Sequence, residues 1–93
     1  MLIATLTITI QIPWAHSLKE KRSEVKKLVE RTRNRFNASV VELAGQDLHQ
    51  TIVLGVAVIA PNAALGDGML EKILAFVEGN TQGEITDLCR EYR

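Results

Sequence analysis

A chain of 93 residues, of which 46% are hydrophobic and 24% charged, has the composition of one folded domain spanning residues 1–93, which excludes a disordered segment. Eleven basic residues balance eleven acidic ones, and this excludes a protein whose whole surface is built to bind nucleic acid. A single cysteine excludes an internal disulfide. Polar residues interrupt the N-terminal apolar run, which is not typical of a signal peptide. No stretch of the sequence approaches a membrane span of about 20 apolar residues, so we expect a cytoplasmic protein.

The first two predicted elements are a strand and a helix. Residues 2–12 alternate between apolar and polar side chains, which predicts a strand with one face on a core, and Pro13 ends it. Ser17 and Glu20 have the spacing of a capping box, which opens a helix. Apolar residues then recur at helical intervals and predict helix 1 over residues 18–36.

The rest of the chain predicts two strands, a helix and a final strand. Residues 38–44 and 50–60 are strand-like runs joined by a glycine-containing turn, which is typical of a hairpin. Apolar spacing over residues 69–77 predicts helix 2, with a start that two glycines obscure. Residues 84–92 predict a last, more polar strand.

This order of elements predicts an α+β fold, namely a ferredoxin-like βαββαβ sandwich. In this fold a four-stranded antiparallel sheet carries two helices on one face. This arrangement buries the apolar stripe of each helix against the sheet. The fold places strands 1 and 3 in the centre and strands 2 and 4 at the edges. Strands 1 and 3 are the most apolar in this chain and strands 2 and 4 carry charges, as protection of sheet edges requires.

Helix 1 holds eight of the eleven basic residues and only three acidic ones. At 100° per residue, four of the basic residues fall within about 60° on one flank of the apolar stripe: Lys19, Arg22, Lys26 and Arg33. These four are predicted nucleic-acid contacts, because such a series can follow a phosphate backbone. On the other flank Lys27, Arg31 and Arg35 mix with acids, which is typical of solvated pairing. An outer face that is merely solvated is the alternative for both flanks.

The loop before helix 1 predicts a second possible site. Backbone N–H groups at the helix start, with His16, Ser17 and Lys19, are suited to bind a phosphate or carboxylate, and simple capping by Ser17 is the alternative. We expect no catalytic residue, metal site or cofactor, because the candidate side chains are scattered singly: His16, Asp47, His49 and Cys89. Cys89 is predicted to be a small buried hydrophobic residue on the last strand.

The sheet face turned away from the helices is predicted to be small and partly apolar. Its two central strands carry Thr5, Thr7, Thr9, Val53, Gly55, Ala57 and Ile59. Stacking of RNA bases on this face is not expected, because it has no aromatic side chain. The face suits packing against a second sheet, which predicts a homodimer.

Three blocks of sequence resemble the YlxP-like family, small bacterial proteins classed as a domain of unknown function. The blocks are residues 16–22, residues 35–42, and Gln46-Asp47 with the following Gln50 and Gly55. His49 departs from the family, which commonly has tryptophan at this place. The resemblance implies a ferredoxin-like fold. Family members are often encoded near translation and ribosome-maturation factors, which is an association rather than a mechanism. The resemblance supplies no catalytic residues.

We therefore predict a non-enzymatic RNA-contacting or ribosome-associated module, with rRNA or ribosomal particles as partners and no membrane. The alternative is a dimeric regulatory domain that binds a small molecule or an anion. An enzyme such as an acylphosphatase-like hydrolase ranks last, because residues 13–17 lack the arginine and glycines of its phosphate-cradling loop.

Overall fold

A computed structural model describes residues 1–45 and 48–93. The elements in chain order are β1 (Leu2–Gln11), α1 (Leu18–Arg35), β2 (Ser39–Ala44), β3 (Thr51–Ala60), α2 (Ala63–Asn80) and β4 (Glu84–Tyr92). The strands form one sheet in the order β2-β3-β1-β4, and every neighbouring pair is antiparallel. The ferredoxin-like prediction is confirmed, including the two apolar central strands and the two edge strands.

Alternation along the central strands decides which side chains enter the core. β1 and β3 pair without interruption from Leu2 opposite Ala60 to Gln11 opposite Thr51. Their even-numbered side chains point toward the helices and are buried, apart from the partly buried Leu2, and they pack against the apolar stripes of α1 and α2. The odd-numbered side chains lie on the opposite face of the sheet, because successive residues of a strand point to opposite sides.

The start of α2 differs from the prediction. The helix begins at Ala63 rather than near Met69, and the Asn62 side chain caps it by accepting a hydrogen bond of 2.9 Å from the backbone N–H of Leu65. Both obscuring glycines therefore lie inside the helix. A Cβ atom at Gly66 would lie 3.0 Å from the Cβ of Ala4, so this glycine lets α2 approach the sheet closely.

Gly83, just before β4, is predicted to be the glycine least tolerant of a side chain. A Cβ atom there would lie 2.6 Å from the Cγ2 of Ile10 and 2.8 Å from the carbonyl oxygen of Gln11. We expect Gly83→Ala to lower the free energy of unfolding by about 2 kcal/mol, measured by urea denaturation. Gly68→Ala is the matched control: nothing lies within 4 Å of a Cβ atom there, so it should stabilise α2 by about 0.5 to 1 kcal/mol. Equal effects of the two variants would contradict the predicted clash.

The edge strand β4 is fastened to α2 by a charged cluster. Arg90 binds Asp67 at 3.0 Å and Glu71 at 2.6 Å, and the Tyr92 hydroxyl donates to Asp67. The hydrogen bond that Arg90 donates to Glu71 is the main cause that raises the pKa of Arg90 above its usual value. Cys89 is exposed, and the prediction that it is buried was wrong, because β4 pairs it with Thr7 on the face away from the helices.

Candidate nucleic-acid interface on helix α1

Helix α1 turns one face to the sheet and the opposite face to solvent. Its buried residues are Lys21, Glu24, Leu28 and Thr32. The four predicted nucleic-acid contacts all lie outside this buried face and are exposed: Lys19, Arg22, Lys26 and Arg33. With a rise of about 1.5 Å per residue, the first three span about 10 Å along the helix.

Three of the four predicted contacts form what we call the basic row: Lys19, Arg22 and Lys26. Within residues 1–45 and 48–93, none of the three forms a hydrogen bond or an ion pair. Arg33 differs, because its Nη2 donates a hydrogen bond of 2.7 Å to the carbonyl oxygen of Val40 and fastens the end of α1 to β2. A guanidinium has five N–H groups, so Arg33 keeps donors for a further contact.

The other charged flank of α1 is engaged within the fold. Lys27 pairs with Glu24 at 2.7 Å, and Glu24 is buried, where it also accepts a hydrogen bond of 2.8 Å from Thr81. Arg31 donates to the Asn80 side chain at 3.2 Å. The prediction of ordinary solvated pairing was therefore wrong for Glu24, whose contacts join α1 to the segment that follows α2.

Lys21 is the basic residue of α1 whose role sequence reasoning missed. Its side chain is 1% exposed, its Nζ lies 3.0 Å from Glu42, and it donates a hydrogen bond to the carbonyl oxygen of Gly45. Its angular position was the available signal, since Lys21 falls between apolar residues on the inner side of the helix. Because its charge is matched by Glu42 inside the protein, Lys21 adds nothing to the outer basic surface.

The capping box at the start of α1 bears on the predicted anion site. Ser17 accepts a hydrogen bond of 3.1 Å from the backbone N–H of Glu20, and the Glu20 carboxylate accepts one of 3.2 Å from the backbone N–H of His16. The capping prediction is confirmed. The anion site at His16, Ser17 and Lys19 stays a prediction, and these bonds argue against it because a carboxylate of the chain already lies there.

A shallow groove lies beside the basic row. It has a volume of about 340 Å³ and is lined by Trp14, Lys19, Glu20, Ser23 and Glu24. Trp14 is 38% exposed and is the only tryptophan of the chain. Its fluorescence therefore reports on events next to Lys19.

The loop before α1 and the β2–β3 hairpin meet at one end of the domain. Gln50 donates from its side-chain amide to the carbonyl oxygens of Pro13 at 3.0 Å and Ala15 at 3.2 Å. The Lys21–Glu42 pair joins the first turn of α1 to β2 close by. All three blocks that carry the family resemblance thus contribute a residue to this end. Gln46 and Asp47, which belong to the third block, lie outside the described residues.

The other candidate side chains are not brought together. His16, His49 and Cys89 are exposed on separate elements. Among the described residues no group of three or more His, Cys, Asp or Glu side chains is placed to hold a metal ion. Within the same residues, neither helix is apolar enough over its length to cross a membrane.

These features define a small ferredoxin-like α+β domain with an exposed basic row on α1 that has no ion-pair partner among the described residues. Residues 3–90 match the family described as "Protein of unknown function (DUF503)", and the chain belongs to that family. The uncharacterized protein YlxP of Bacillus subtilis (strain 168) is 35% identical over 72 residues, which are 77% of this chain and 78% of the relative.

Two solved structures share the fold. One is the structural-genomics protein YJCS, with a TM-score of 0.59 and 18% identity, and the match covers 96% of each chain. The other is a de novo designed protein with a ferredoxin fold, solved by NMR, with a TM-score of 0.61 and 18% identity over 100% of this chain and 86% of the design. At this identity the likeness concerns the fold alone.

Proposed function

We propose that the protein is a non-enzymatic RNA-contacting module of the cytoplasm that binds rRNA or ribosomal particles through the basic row. One observation carries the proposal: the basic row is exposed and unpaired among the described residues, while Lys21, Lys27, Arg31 and Arg33 all have partners within the fold. Cations without internal partners are available to replace the counterions of a phosphate backbone.

The spacing of the basic row fits a nucleic-acid strand. Its length of about 10 Å along α1 corresponds to about three phosphates at a helical rise of about 3.4 Å per nucleotide. Contacts of this kind position a protein on the backbone without reading the bases. The central strands offer no aromatic surface on which bases stack, so we propose little sequence preference.

Co-sedimentation with ribosomal particles on gradients tests the proposal. We expect the tagged protein to travel with a subunit or its precursor at low salt and to remain at the top of the gradient at high salt. Binding to a labelled RNA should weaken with a slope of about −2 in log K against log salt, because three cations replace counterions of a single strand. A protein that stays at the top at every salt concentration would contradict the proposal.

A regulatory domain that is dimeric through the open sheet face and binds a small molecule near α1 is the second candidate. The groove beside Trp14 favours it. The carboxylates of Glu20 and Glu24 line that groove and disfavour a bound anion. This function predicts indifference to RNA, so thermal melts with and without RNA distinguish the two candidates, because stabilisation by RNA is expected of the first alone.

A further inference from the structure

The sheet face away from the helices is partly apolar, and neither helix covers it. We define the open face as the odd-numbered side chains of β1 and β3 together with Val41 and Leu43 of β2. Neither helix covers it, because the buried even-numbered side chains of both central strands pack with α1 and α2 on the other side. The most exposed of its large hydrophobic residues are Ile59 at 66%, Leu43 at 51%, Val41 at 46% and Ile3 at 42%. Contiguous exposed apolar surface of this kind marks an interaction site.

The open face carries a ridge and a groove. Ile3 and Ile59 are paired across β1 and β3 and form a ridge at one end. A groove of about 260 Å³ lies further along the strands, beside the Leu43 side chain that lies over Gly55, and is lined among others by Thr5, Thr7, Val41, Leu43 and Ala57. Ridge and groove occupy the same two central strands, so a two-fold rotation can place each ridge in the groove of another copy.

Charge on the open face favours another copy of the same surface over a polyanion. The odd-numbered side chains of β1 and β3, and Val41 and Leu43 of β2, are all uncharged. Among the described residues of the sheet, charged side chains border this face on β4, where Glu91 and Arg93 pair with each other at 3.5 Å and Asp87 lies opposite Thr9. An uncharged centre with charged residues at one margin agrees with the depletion of charge at the core of protein–protein interfaces.

The open face is also large enough for a modest dimer. At about 3.4 Å per residue and a strand spacing of about 4.8 Å, the four strands together, β4 included, give the sheet face an area of about 570 Å². Two copies then bury about 1,100 Å² in total, which is near the lower bound for a specific interface.

We propose that the open face is the interface of a two-fold symmetric homodimer, in which the Ile3–Ile59 ridge of each copy enters the groove beside Leu43 of the other. The two helical layers then face outward. The basic rows of both copies stay exposed on opposite sides of the dimer. The interface goes beyond the proposed RNA function and does not depend on it.

Sedimentation equilibrium of the full chain, from about 1 µM to about 200 µM, tests the interface. We expect a mass that rises with concentration from that of one chain, 10.3 kDa, to twice that value. Ile59→Lys and Thr7→Arg each place a charge in the interface and should raise the dissociation constant at least about tenfold. Leu65→Lys is the matched control, because Leu65 is 53% exposed on α2 and lies outside the open face.

Each outcome decides the proposal. Dissociation by both open-face variants, with an unchanged Leu65→Lys dimer, supports it. A wild-type protein that stays monomeric over the whole range overturns it, and so does a dimer that both open-face variants leave intact. Circular dichroism of Ile59→Lys and Thr7→Arg establishes that both variants fold, since both side chains lie on the surface that the helices leave uncovered.

Discussion

Lys21→Met is expected to lower the free energy of unfolding by about 3 kcal/mol, since removing one member of a buried ion pair leaves the other charge uncompensated. Methionine approximates the length of the lysine stem, so the loss would not come from a cavity. It would come from the Glu42 carboxylate, which is 18% exposed and lies 3.0 Å from Lys21, and from the Gly45 carbonyl group, which loses its donor. Urea denaturation followed by circular dichroism measures the change.

A double variant separates the charge from the packing. Lys21→Met with Glu42→Leu should recover at least half of the lost stability, because no unpaired charge then remains at the site. Lys19→Met is the matched control: Lys19 is exposed, two residues earlier on the same helix, and its replacement should change stability by less than about 0.5 kcal/mol. Similar losses for Lys21→Met and Lys19→Met would show that the buried pair contributes little.

Reversing the charge of the basic row is expected to weaken RNA binding about 100-fold at low salt. The variant carries Lys19→Glu, Arg22→Glu and Lys26→Glu, which removes three counterion-releasing contacts and adds repulsion of phosphates. Because these side chains form no hydrogen bond or ion pair with the described residues, the fold should be retained. Fluorescence anisotropy of a labelled RNA measures the affinity, and the emission of Trp14 reports binding beside Lys19.

A second triple variant controls for net charge. Arg31→Glu, Arg35→Glu and Lys72→Glu affect exposed residues outside the basic row. Both triple variants change the net charge from zero to minus six, because each reversal changes it by two. We expect the control to retain most of the RNA affinity, since contacts on the backbone depend on local charge. Equal losses in the two variants would refute the basic row as the binding surface.

The fold was predictable because its signals are local or periodic. Alternation along β1, the capping box at Ser17 and Glu20, and the apolar character of β1 and β3 required no knowledge of distant contacts. The start of α2 was missed because glycine weighs against a helix, whereas Gly66 is needed for close packing on Ala4. That requirement comes from a neighbour more than sixty residues away in the chain.

The candidate site was predicted in part. Angular position on α1 grouped Lys19, Arg22 and Lys26 correctly on an exposed flank. It did not show that Arg33 binds the Val40 carbonyl group or that Glu24 is buried against Thr81. Those facts depend on which elements α1 meets, and helical periodicity carries no information about the partner.

Residue spacing is sufficient to predict the order of elements, the inward face of each strand and the concentration of positive charge on α1. Which of these charges lack a partner depends instead on how the elements pack. Lys21 is neutralised by Glu42, and Lys27 by a glutamate that Thr81 helps to hold. Residues far apart in the chain provide these partners, and they come close to one another only when the helices have packed on the sheet.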